Sequence, residues 1–145
     1  MYSPMLDDYQ DLIDELLGTP ALVRTLFVNT EGGPSEKAVI AVSALHERDR
    51  TVLDRLQRLT RESTPPWFKT LPGLDDAIKN APVPDDLDAF LGEFDTARGD
   101  LVSLLMNLTL KDWERVATDD VEGEISLAEE VEHHVEFDEA IRARL

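Results

Sequence analysis

His46 and Asp49 stand three residues apart in this chain, and Glu130 and His134 four apart. On a helix either spacing puts both side chains on nearly one face, about a turn apart. Imidazole and carboxylate together suit Zn, Mn or Fe, so these four residues form a candidate divalent-metal set. His133 is the remaining histidine. It adjoins His134 and points about 100° away on a helix, so the two do not easily share one ion. A plainer reading stands beside this one. His46 lies in the charged stretch His46-Glu47-Arg48-Asp49-Arg50 and is suited to solvent. Asp49 and Glu130 are equally suited to ion pairs with Arg48, Arg98 or other basic neighbours.

Other chemistries find little support. The chain has no cysteine, which excludes disulfides, thiolate metal sites and a cysteine nucleophile. Ser35, Ser43, Ser103 and Ser126 show no accompanying His/Asp pattern, and Ser35 and Ser126 read as helix caps. Gly32-Gly33 precedes a helix but lacks the lysine and spacing of a phosphate loop. The glutamates from Glu129 to Glu139 read as a solvated helix face, and Trp113 as a packing anchor.

The elements that must position these residues occupy 145 residues, enough for a single domain with one core. Acidic residues number 31 against 14 basic, for a formal net charge of −17. Nucleic-acid binding needs a cationic footprint, and no Lys/Arg cluster supplies one. The basic residues between Arg48 and Arg61 are interleaved with acids on one helix and read as ion-pair partners. Nucleic acid and anionic membrane are therefore disfavoured as partners. No apolar run reaches the roughly 20 residues that cross a bilayer. The segment MYSPMLDDYQ lacks a basic stretch followed by an apolar one, which predicts no secretory signal and a cytoplasmic address.

Four helical segments are predicted. The first runs from about Pro4 to Asn29, with a possible break at Gly18-Thr19-Pro20. The second is capped by Ser35 and runs to about Arg61, with a stripe of Val39, Val42, Leu45, Val52, Leu53, Leu56 and Leu59 broken by Asp49. A connection from Ser63 to Pro84 carries Trp67, Phe68, Leu71, Leu74 and Ile78, which suggests a packed crossover with a short helix near Asp75–Asn80. The third long helix spans about Asp85–Leu108. Thr109 to Glu124 reads as a turn. Ser126 opens the last helix, to about Leu145. No segment alternates apolar and polar residues for long enough to predict a sheet. The fold class is all-α: a four-helix bundle with a long crossover between the second and third helices.

The order and spacing of several landmarks resemble those of the DinB/YfiT family of four-helix proteins. Thr19-Pro20-Ala21-Leu22 resembles a Thr-Pro segment of that family's first helix, and Pro34-Ser35-Glu36-Lys37 the Trp-Ser start of its second. Phe94, Arg98, Leu105, Leu108-Thr109, Asp112-Trp113 and Arg115 resemble its third helix and exit. Gly123-Glu124-Ile125-Ser126-Leu127 and Val135-Glu136-Phe137-Asp138 resemble the start and middle of its last helix. The resemblance implies a metal held by one histidine of the second helix and a His-x-x-x-His pair of the last. Those positions fall here on Val42, Phe137 and Ile141, none of which can ligate a metal. Asp119 stands where a further histidine is often found, and Pro34 where the tryptophan is.

The leading expectation is thus a DinB-like protein that is metal-free and non-catalytic, acting by protein or small-molecule binding, with no cofactor. The resemblance also implies antiparallel second and last helices. A shift of one turn along both would let His46 meet His134, with Asp49 and Glu130 one turn further on. The alternative is therefore a divalent-metal-dependent (Zn, Mn, Ni or Fe) transferase of low-molecular-weight thiols, using this displaced site. A homodimer, a stress-response setting and a small hydrophobic or thiol ligand belong to the same expectations. Trp67 and Phe68 of the crossover are the expected contact surface.

Overall fold

The computed structural model describes the backbone of residues 4–145 and side chains from residue 7 onward. Its long helices are α1 (Pro4–Asn29), α2 (Glu36–Arg61), α4 (Leu87–Met106) and α6 (Leu127–Arg142), with short α3 (Leu74–Lys79) and α5 (Leu110–Trp113) between them. Local chemistry sets their starts. The Ser35 hydroxyl accepts the Ala38 N–H at 3.1 Å. Ser126 and Glu129 form a reciprocal capping box at the start of α6, as do Thr109 and Asp112 at α5. Each side chain satisfies an N–H that the first helical turn would leave unpaired.

Helix α1 runs unbroken through Gly18-Thr19-Pro20, so the break considered there is absent. Pro20 has no N–H to give to the carbonyl four residues earlier, that of Leu16. Nη1 of Arg98 donates to this carbonyl at 2.7 Å instead.

The helices form a ring in which α1 and α2 each pack against α4 and α6. Consecutive α1 and α2 lie across the bundle from each other. One end of the core gathers Ile13 and Leu16 of α1, Leu56 and Leu59 of α2, Leu101 and Leu105 of α4, and Leu127 and Val131 of α6. The other gathers Val23 and Phe27, Val42 and Leu45, Phe90 and Phe94, and Phe137 and Ile141. The order along the axis is therefore up, down, down, up: α1 and α6 run parallel, and the crossover joins the parallel neighbours α2 and α4.

The expectation of no sheet is corrected. Strands β1 (Trp67–Phe68), β2 (Val116–Asp119) and β3 (Gly123–Ser126) form a small sheet in the order β1-β2-β3. Trp67 and Phe68 pair in parallel with Thr118 and Asp119, and Ala117 pairs antiparallel with Ile125. Strands of two and four residues are too short to show an alternating pattern. Gly123, at φ +80°, takes the left-handed conformation the hairpin needs. Adjacent strand residues point to opposite faces, so Phe68 is 3 % exposed and Trp67 59 %. The expectation that Phe68 shares an exposed contact surface with Trp67 is thereby corrected: Phe68 is buried, and of the two only Trp67 is exposed. No helix among the described residues is long and apolar enough to cross a membrane.

Candidate functional site

Val42, Phe137 and Ile141 all lie buried in the apolar cluster at one end of the bundle, with Val23, Leu45 and Phe94. The side chains at these positions are packing groups.

The four residues of the displaced site are not brought together. His134 and Asp49 do meet, with Nε2 2.6 Å from Oδ1. Glu130 instead pairs with Arg55 at 3.1 Å. His46 turns its ring edge-on to Phe90, at 5.6 Å between centroids, and its buried Nδ1 has no partner. His133 lies near the surface, 3.7 Å from Glu122. No group of three or more metal-ligating residues among those described is placed to hold an ion. The ligand chemistry that the resemblance implies does not fit this chain.

Asp49 and His134 belong to a different construction. Between the two apolar clusters lies a buried polar layer centred on Arg98. Its Nε and Nη2 donate to the two oxygens of Asp49 at 3.1 and 2.9 Å, a fork matched to a carboxylate. Nη2 also donates to Asp138 at 2.8 Å, and Thr19 donates to Asp138 at 2.7 Å. Arg142 comes within 3.2 Å of Asp138 as an ion pair, without the alignment of a hydrogen bond. The layer draws on α1, α2, α4 and α6 alike.

Burial alone would raise the Asp49 carboxyl, but Arg98 and the His134 hydrogen bond outweigh it and hold the group below its ordinary value. Burial would likewise lower the Arg98 guanidinium, and Asp49 and Asp138 outweigh it in the opposite sense. His134 is fully buried, so its contact with Asp49 is structural and closed to a substrate. The sequence did carry a signal for this layer. Arg98 falls in the stripe Phe94, Leu101, Leu105, and Asp49 in the stripe Leu45, Val52, Leu56. A charge at core spacing must be paired in the interior.

The accessible chemistry lies elsewhere, in a cleft of about 400 Å³ between the crossover and α6. Arg48, Arg55, Thr70 and Leu71 line one side, and Glu130, His133 and Phe137 the other. Arg55 is saturated by Glu130 and the Lys69 carbonyl, and rests over the Phe68 ring. Arg48 lies with Cζ 4.6 Å from the centre of the Phe137 ring. A larger hollow, about 870 Å³, is the open groove between α2 and α4, where His46, Arg50, Gln57 and Thr96 are the donors.

No protein-family model matches the chain, and no curated protein matches it. Among solved structures it is similar to YfiT from Bacillus subtilis, described as a probable metal-dependent hydrolase with an unusual four-helix bundle topology. The two share 19% sequence identity at a TM-score of 0.62, over 99% of this chain and 90% of that one. At that identity the likeness is one of fold.

Proposed function

We propose that this chain, which carries the four-helix fold of YfiT, is a metal-independent binding protein that takes a small molecule in the cleft between the crossover and α6. A guanidinium sits over Phe137, at a position where the resemblance puts a metal ligand; this observation carries the reading. A divalent cation brought there would meet the charge of Arg48 in a partly desolvated setting, where repulsion is weakly screened. Val42 and Ile141, fully buried in hydrocarbon, offer it no compensating ligand. The hydrolase description of YfiT and the thiol-transferase alternative both need a ligand set. His46 and Glu130 would each have to leave their present surroundings to join one. Self-association is part of the proposal, with the exposed Trp67 as its contact.

The test is metal binding by chelator-treated protein, with zinc, manganese, nickel and iron(II) titrated back by calorimetry. No saturable uptake at high micromolar metal is expected. Stoichiometric binding that disappears in His46→Ala or Glu130→Gln would overturn the proposal in favour of the displaced site.

A further inference from the structure

The geometry points to a carboxylate-binding site at Arg48, suited to small organic monocarboxylates with an apolar body. This deepens the binding reading above and rests on it. Arg48 differs from the other interior arginines. Arg98 and Arg55 are fully engaged by carboxylates and carbonyls. Arg48 forms no ion pair among the described residues, and its buried Nε has no hydrogen-bond partner. Burial pulls its guanidinium below the ordinary value, with Glu130 opposing and Arg55 reinforcing that shift. An arginine stays charged even so. A partly desolvated guanidinium without an acceptor is an unfavourable arrangement, and a ligand carboxylate relieves it through charge-assisted, forked hydrogen bonds.

The surroundings narrow the ligand. Arg48 borders two hollows, of about 400 and 200 Å³, on either side of the crossover, and Leu71 and Pro72 line both. Leu74, Phe137 and Ala140 continue the apolar wall of the larger one. Asp119, Glu130 and His133 also line that hollow, so an apolar body attached to a carboxylate on Arg48 has the strip of Leu71, Leu74, Phe137 and Ala140 to lie along. At the rim stand Glu122 and Glu136, both exposed. They repel a second negative charge, which favours a monocarboxylate over phosphate or a dicarboxylate. The Phe137 ring holds the guanidinium by a cation–π contact and limits its freedom before the ligand arrives.

The experiment titrates the chelator-treated 145-residue chain with sodium hexanoate, hexan-1-ol and inorganic phosphate, followed by the methyl resonances of Leu71, Leu74 and Ala140. Saturable shifts with hexanoate, and none with hexan-1-ol or phosphate, are expected. Arg48→Gln should weaken hexanoate about tenfold or more, in line with the loss of a charge-assisted pair. Arg48→Lys, which keeps the charge but not the fork, should fall between; it also serves if the glutamine variant does not fold. Equal shifts with hexan-1-ol, or shifts confined to Ala89 and Ala97 in the α2–α4 groove, would overturn the assignment. Silence with and without added zinc would sink the carboxylate site alone. Hexanoate shifts that appear only with zinc would sink the metal-independent reading as well.

Discussion

Pro20 and Arg98 are complementary: the proline leaves the Leu16 carbonyl without a helical donor, and the arginine supplies one at 2.7 Å. A residue that ordinarily disrupts a helix interior here opens a binding point for the centre of a buried ionic layer. The same guanidinium holds carboxylates from α2 and α6. The position of Pro20 is thus tied to the assembly of all four long helices.

Arg98→Met should destabilise the fold by about 3–5 kcal/mol, because it removes the guanidinium shared by the buried carboxylates Asp49 and Asp138 and leaves them only His134, and Thr19 with Arg142, respectively. Replacing Asp49 by Leu and Asp138 by Leu in that background should recover most of the loss, since well-packed apolar groups often match a buried ion network. Urea denaturation of the three proteins checks this. A triple variant no more stable than Arg98→Met would show that the layer matters for more than its own charges.

Acid should weaken the protein through the same layer. The Asp49 carboxyl is lower in the folded state than its ordinary 3.8. As pH falls past 3.8 the unfolded chain takes up this proton first, so stability is lost from there down through the folded value. Asp112 and Asp119 are shifted the same way and add to the slope. Asp112 is lowered by the Thr109 backbone. At Asp119 burial acts in the raising direction, and the Glu122 and Val121 N–H groups outweigh it. Above this window these carboxylates contribute their full stabilisation. Asp49→Asn should show a shallower decline of melting temperature with acid than the parent chain.

Adjacent aromatic residues of β1 should respond very differently to truncation. Phe68→Ala should cost about 3–5 kcal/mol, as for a buried phenylalanine that leaves a cavity. Trp67→Ala should fall within about 0.5 kcal/mol, the range of surface changes. Thermal unfolding separates the two. If the proposed self-association uses this face, Trp67→Ala should also lower the apparent mass in sedimentation.

Restoring imidazoles by Val42→His, Phe137→His and Ile141→His should give at most weak zinc binding while Arg48 remains. Adding Arg48→Met should tighten it by about tenfold or more, because the repelling charge is removed. Zinc titration by calorimetry reads both variants, and equal affinities would show that Arg48 does not guard the position.

The bundle was legible because its signals are local and repeated: Ser35 and Ser126 at helix starts, and apolar stripes on the second and third long helices. A charge within the stripe of the second helix was legible as an anomaly at Asp49, and Arg98 stands at the same kind of spacing in the third. Their pairing was not, because it joins positions 49 residues apart with a carbonyl 82 residues away. The fates of His46 and His134 were also hidden. Both lie on largely buried helix faces, and only the packing sends one to Asp49 and the other to Phe90. The sheet escaped because β1 is two residues long and its partner lies about fifty residues on. With it went the distinction between Phe68 and Trp67.

The ionic layer also bears on how sequences of this fold can change over time. A ligand histidine can give way to valine, phenylalanine or isoleucine in one step, since each such change fills space without stranding a charge. Asp49, Arg98 and Asp138 have no such route, because every single replacement takes a partner from a charge held in the interior. Pro20 adds a further dependence through the carbonyl it exposes. Chemistry on this scaffold is therefore open to gradual drift, whereas its central layer can only be exchanged by several coordinated substitutions.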